Sequence, residues 1–145
     1  MISNIKKLIK FDTEMKRTMI NSLKSKVKRP YSGEAGVQKS VVDYIKYQYP
    51  HVLYCASAGG VRTSMKQAIK MKATGYVKGV PDLQIFEAVG NYHGLLIEIK
   101  DLKGVVSKEQ KEWISKLNDR GYFATYCKGI EATIKVIDDY FAGQI

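Results

Sequence analysis

The sequence predicts an α/β fold: a short central mixed sheet flanked by helices, preceded by an N-terminal basic helical arm. Three observations carry this. Apolar residues recur at helical spacing in several separate stretches. Between those stretches lie short apolar runs bounded by Gly, Pro or Asn, which read as strands. The resulting order is arm, α, β, α, β, β, α, β, α, and helices on both sides of one sheet would bury all of these runs.

Composition sets the frame. Hydrophobic residues make up 45% of 145 positions, enough to give one domain a real core. The net charge of +10 favours a polyanionic partner: DNA, RNA or an anionic membrane surface. A basic but inert surface is the competing reading. Cys55 and Cys127 match no zinc spacing and cannot form a disulfide scaffold, so buried free thiols in a reducing cytoplasm are expected. No apolar run reaches membrane-span length. Lys6, Lys7 and Lys10 interrupt the only stretch where a signal-peptide core would lie.

Residues 1–30 form the basic arm, with nine Lys/Arg against two acids. Met15, Met19, Leu23 and Val27 recur every four residues, a helical stripe that Pro30 and Gly33 end. Such a helix can pack on the domain, contact DNA, form a dimer or lie on a membrane. Residues 31–145 are read as the main domain. There, residues 33–49 read as a helix with Ser32 as N-cap, Pro50 as stop, and Val37, Val41, Ile45 and Tyr49 on one face. Residues 51–57 read as a strand, and Gly59-Gly60 breaks it. A lysine-bearing helix over 63–74 ends at Gly75, and the loop of residues 75–79 has glycines suited to close backbone approach. Strands follow at 82–88 and 94–100, joined by Gly90-Asn91. Ser107 and Gln110 match a capping box that opens a helix to about Arg120. A strand over 122–127 and a helix over 130–142, with Ile130, Ile134, Ile137 and Phe141 on one face, complete the chain.

The chemistry concentrates where two strands carry charge. In Leu-Leu-Ile-Glu-Ile-Lys, Glu98 and Lys100 share one face while Leu95, Ile97 and Ile99 share the other. Asp82 joins that face if the hairpin has a three-residue loop centred on Gly90 or Asn91, or a bulge; a strict two-residue turn puts it on the wrong face. Two carboxylates so close repel each other, and a hard divalent cation relieves the conflict. A lysine beside them would stabilise charge on a phosphoryl group or orient a water. That set is what phosphodiester hydrolysis asks for. Glu34 falls in the first turn of its helix, where it either complements the helix dipole or joins the site. Gln110 either caps its helix or faces the site, and local sequence favours the cap. Arg62, Lys66, Lys70, Lys72 and Lys78 either hold phosphates or form a solvated face.

The ordered series Glu34, Gln38, Gly59-Gly60, Arg62, Gly79-Val80-Pro81-Asp82-Leu83, Ile97-Glu98-Ile99-Lys100, Gly104, Ser107, Gln110, Trp113, Leu117 and Gly121 resembles the VRR-NUC nucleases of the PD-(D/E)xK superfamily. The resemblance spans about residues 33–140 and leaves the arm outside. It implies a restriction-endonuclease-like core. It implies Mg²⁺ or Mn²⁺ held by Glu34, Asp82, Glu98 and the main-chain carbonyl of Ile99, with Lys100 catalytic and Gln110 at the active site. It further implies endo- or exonucleolytic hydrolysis of DNA. Small stand-alone members look like virus- or bacterium-encoded homodimers acting on branched DNA such as four-way junctions, in the cytoplasm. The alternative is a non-catalytic, basic nucleic-acid-binding module that retains the nuclease fold.

Overall fold

The computed structural model describes residues 13–18, 20–22, 32–57 and 63–145. The chain divides into two compact units, Met1–Ser32 and Gly33–Ile145. In the first unit, residues 13–18 and 20–22 are helical. Met19, Leu23 and Val27 of the expected stripe, and Pro30 that was read as ending it, lie outside the described residues.

The second unit runs α1 (Gly33–Gln48), β1 (Tyr54–Ala56), α2 (Met65–Ala73), β2 (Leu83–Ile85), β3 (Leu95–Lys100), α3 (Lys108–Asn118), β4 (Phe123–Lys128) and α4 (Gly129–Phe141). The four strands lie in the order β1-β2-β3-β4. The first two pairings are antiparallel, and β3–β4 is parallel, so the sheet is mixed. All six residues of β3 are buried, as befits a central strand covered on both faces. Leu83, Ile85, Leu95, Ile97 and Ile99 on one face meet Val41 and Ile45 of α1 and Ile137 and Tyr140 of α4. Among the helix residues, Val41, Ile45 and Ile137 are ones that the helical spacing had marked, and Tyr140 is not. Tyr44 and Tyr49 donate hydrogen bonds to Asp138 at 2.8 and 2.6 Å, which ties α1 to α4. On the far side of the sheet, the Asn118 amide bonds both backbone groups of Ala124 at 2.9 Å and covers β4 at the sheet edge.

Hairpin register decides where Asp82 goes. At the tip, Val89 pairs with Tyr92 around a two-residue Gly90-Asn91 turn. Further down, Ile85 pairs with Leu95 and Leu83 with Ile97. Between these pairs, Phe86, Glu87 and Ala88 oppose only His93 and Gly94, so the hairpin carries a bulge. The tip alone would put Asp82 on the wrong face. The bulge shifts the register by one, and continuing the strand pairing from Leu83–Ile97 sets Asp82 opposite Glu98.

Three expectations change. The expected strand over 82–88 shortens to Leu83–Ile85, because the bulge begins at Phe86. The strand over 51–57 shortens to Tyr54–Ala56 at the sheet edge. Cys55, expected to be buried, is exposed on that edge strand, whereas Cys127 is buried as expected. Among the described residues, no helix is long and apolar enough to cross a membrane.

Candidate active site

Strand periodicity places Glu98 and Lys100 on one face of β3, and the side chains meet there. Lys100 Nζ donates to Glu98 Oε1 at 2.6 Å. Both residues are nearly inaccessible, at 1% and 5% exposure. Charges withdrawn from water to this degree persist only when paired. Glu34, in the first turn of α1 and with its side chain about half exposed, reaches Lys100 Nζ at 3.4 Å through Oε1. Gly104 packs beneath this pair. A Cβ there would come within 3.0 Å of Glu34 Oε1 and of the Lys100 stem, so a glycine lets the loop of residues 101–106 close against both.

Asp82 is held from the neighbouring strand. Its Oδ2 accepts the Ile99 backbone N–H at 3.0 Å, and its carbonyl accepts the Ser57 N–H at 2.8 Å. The Ile99 side chain lies in the core on the other face of the sheet.

Gln110 does both things that sequence left as alternatives. Its Oε1 accepts the Ser107 N–H at 2.8 Å, completing the capping box of α3. Its Nε2 donates to Glu98 Oε1 at 2.5 Å. Cap and site are the two ends of one amide, and the cap aims the donor.

Glu98 Oε1 therefore receives two donors, while the buried Oε2 has no partner among the described residues. Burial pushes the Glu98 carboxyl up to about 7, aided by the charge of Asp82 and opposed by Lys100. Burial alone would lower the Lys100 ammonium, but Glu98, Glu34 and Asp82 outweigh it, and its pKa rises. A buried carboxylate oxygen without a donor, facing a second carboxylate, is what a hard cation would satisfy. The donor set consists of oxygens, which suits Mg²⁺ or Mn²⁺ rather than a softer ion. Among the described residues, no three His, Cys, Asp or Glu side chains are gathered into a ready-made cation site. Lys100 stands between Glu34 and Glu98 and takes one oxygen from each.

Glu34, Asp82, Glu98, Lys100 and Gln110 all line one cleft of about 560 Å³. Residues 75–80 form another wall of it. The glycines of that loop were expected to allow close approach, and at Gly79 the approach is to α3. A Cβ there would lie 2.8 Å from the Glu109 carbonyl carbon, and φ is +96°. Lys78 pairs with Glu109 at 2.9 Å and lines the cleft. Its hydrogen bond holds the Glu109 carboxyl down at about 2. Lys66, Lys70 and Lys72 lie exposed on α2, a helix without a buried residue, and do not line the cleft. Arg62 lies outside the described residues. Two lining residues with polar groups carried no signal recognised in the sequence: Ser57, whose buried Oγ has no partner among the described residues, and Tyr76. Position gave the available cue, since Ser57 just follows a strand and Tyr76 sits between two loop glycines.

The VRR-NUC domain family matches residues 21–131, beginning inside the segment read as an arm and ending earlier than the resemblance suggested. A solved structure described as a VRR_NUC domain protein is 34% identical, with a TM-score of 0.64. The likeness covers 79% of this chain and 92% of that one. No match is found among curated proteins. With a family match over most of its length and a cleft lined by the carboxylates and lysine of the D…ExK pattern, the chain belongs to the VRR-NUC family and carries a nuclease domain.

Proposed function

We propose that the chain is a Mg²⁺- or Mn²⁺-dependent deoxyribonuclease that cuts phosphodiester bonds endonucleolytically in branched DNA such as four-way junctions. The observation that carries this is the pairing register that sets Asp82 opposite Glu98, beside Lys100 and the donorless Glu98 Oε2. General metal dependence among VRR-NUC nucleases supports the cofactor. Asp82, Glu98, Glu34 and the Ile99 carbonyl would hold the ion, which when bound supplies Lewis acidity to a phosphoryl oxygen and acidifies a water.

The remaining work falls to the chain's own groups. Ile99 N–H fixes the Asp82 carboxylate beside Glu98. Gln110 fixes the rotamer of Glu98. Lys100, a cation across the working pH range, stabilises negative charge at the phosphate and orients the attacking water. Glu34, more exposed than the rest, closes the site from α1. Lys78 and Arg62 would hold flanking phosphates, and Lys66, Lys70 and Lys72 the DNA beyond the cleft. A basic arm over residues 1–30 would add charge to that interface, and the nuclease would act in the cytoplasm, of a bacterial host if the gene is viral. A homodimer would supply the two cuts that a symmetric junction needs.

The test incubates the protein with labelled four-way-junction, flap, duplex and single-stranded DNA and a matching RNA, in Mg²⁺, Mn²⁺ or EDTA, with its mass measured in parallel. Metal-dependent products, most rapid on branched DNA and made by a dimer, are expected. Salt-sensitive binding with no product under any condition would leave a non-catalytic binder that retains the fold.

A further inference from the structure

The structure assigns Tyr76 a role that rests on the nuclease reading and narrows its substrate: we infer that its ring stacks an unpaired base next to the scissile phosphate. Three observations lead there. Glu98 and Lys100, which a phosphate must approach, lie at 1% and 5% exposure on the floor of the cleft. A cleft of about 560 Å³ has room for a nucleotide or two, so an unpaired base beside the scissile phosphate fits within it. Tyr76 is the aromatic side chain among the lining residues, and it is half-buried, with Lys78 also on the wall. Every base has a π face, so one aromatic ring flanked by cations is a sequence-tolerant platform for single strands.

The backbone that carries the ring is also fixed in place. Helix α2 ends at Ala73 with Thr74 as its C-cap, and Gly75 follows at φ +103°. Gly75 N–H donates to Lys72 O at 3.2 Å and Tyr76 N–H to Met71 O at 2.8 Å, the two bonds of a Schellman cap. Three residues on, Gly79 seats the same loop against α3. Tyr76 is thus held between two backbone anchors, so little backbone ordering is needed when a base arrives. A site of this kind takes frayed ends, flaps and the open centres of branched DNA, and leaves fully paired duplex outside.

The experiment measures binding in EDTA, where no hydrolysis is expected, using short oligonucleotides that carry the fluorescent base 2-aminopurine. Arms are single-stranded DNA, the same sequence as RNA, and blunt duplex DNA. The wild-type chain and Tyr76→Phe should quench the fluorophore in the single strands. Tyr76→Leu, which keeps apolar bulk without the ring, should lose the quenching and bind single strands about tenfold more weakly, the size of one base–aromatic stack. Blunt-duplex binding should change less than twofold in either variant, and thermal unfolding should show both variants folded. Quenching retained in Tyr76→Leu, equal loss on blunt duplex, or no quenching by the wild type would overturn the assignment. Stronger quenching of RNA than DNA would keep the platform and change its substrate. Quenching without metal-dependent cleavage would sink the nuclease reading alone, whereas cleavage without quenching would sink this one alone.

Discussion

Gln110 holds two jobs in one side chain, and they can be separated. Gln110→Glu keeps the acceptor that caps α3 but removes the amide donor facing Glu98 Oε1. Gln110→Ala removes both and should cost about 1 kcal/mol of stability, as lost caps do. Thermal unfolding and cleavage rates should then diverge: both variants should lose activity, by roughly 10-fold or more, but only the alanine should lose the cap. Wild-type activity in Gln110→Glu would make the residue a cap alone. Glu98 makes a second expectation at this scale. Its carboxyl rises from 4.5 to about 7 in the fold. Between those values the folded chain binds more protons than the unfolded one, so metal-free stability should fall as pH rises through the window, by on the order of 1–3 kcal/mol, and stay low above it. Lys100, raised above 10.5, adds stability that is lost only at more alkaline pH. Glu109, held at about 2, matters only below the window, where its contribution fades as pH falls. Denaturant unfolding in EDTA at pH 5 and pH 8 checks this. Mg²⁺ should recover more stability at pH 8, and equal metal-free stability at both values would contradict the buried, donor-poor carboxyl.

Among the elements, the loop of residues 75–80 is the wall most exposed to a single change. Gly79→Ala puts a methyl group 2.8 Å from the Glu109 backbone at a φ of +96°. Destabilisation of about 2 kcal/mol and loss of cleavage are expected in denaturant midpoints and rates. An unchanged midpoint would mean that the loop is not seated on α3. The helices were legible because α1 and α4 repeat apolar residues at three- or four-residue spacing, and α3 announces itself with Ser107 and Gln110. β3 was legible because its apolar run ends in an alternating Glu and Lys. The register of Asp82 was not, since it depends on a surplus residue among Phe86, Glu87 and Ala88 that local turn chemistry does not reveal. Nor was the exposure of Cys55, because an edge strand and a central one look alike when they are short and apolar. At the site, sequence put Glu98 beside Lys100, but no spacing rule shows that the Gln110 amide spans cap and carboxylate.

At the scale of the molecule, charge and site act together. The excess of +10 should make DNA binding strongly salt-dependent. Nine basic residues against two acids lie in residues 1–30, so replacing Lys6, Lys7 and Lys10 by Gln should reduce the magnitude of the slope of log K against log salt by about 2 to 3 if the arm touches phosphate. An unchanged slope would make it a solvated segment. The cleft chemistry is separable from that attraction, because its acids and buried lysine sit away from the exposed lysines of α2. The most direct measurement compares Mg²⁺-dependent cleavage and DNA binding for the wild type, Asp82→Asn, Glu98→Gln and Lys100→Met. Cleavage should fall by at least ~100-fold in each variant while binding stays within a few fold. Any one of the three cutting at the wild-type rate would show that Asp82, Glu98 and Lys100 do not form a single hydrolytic centre.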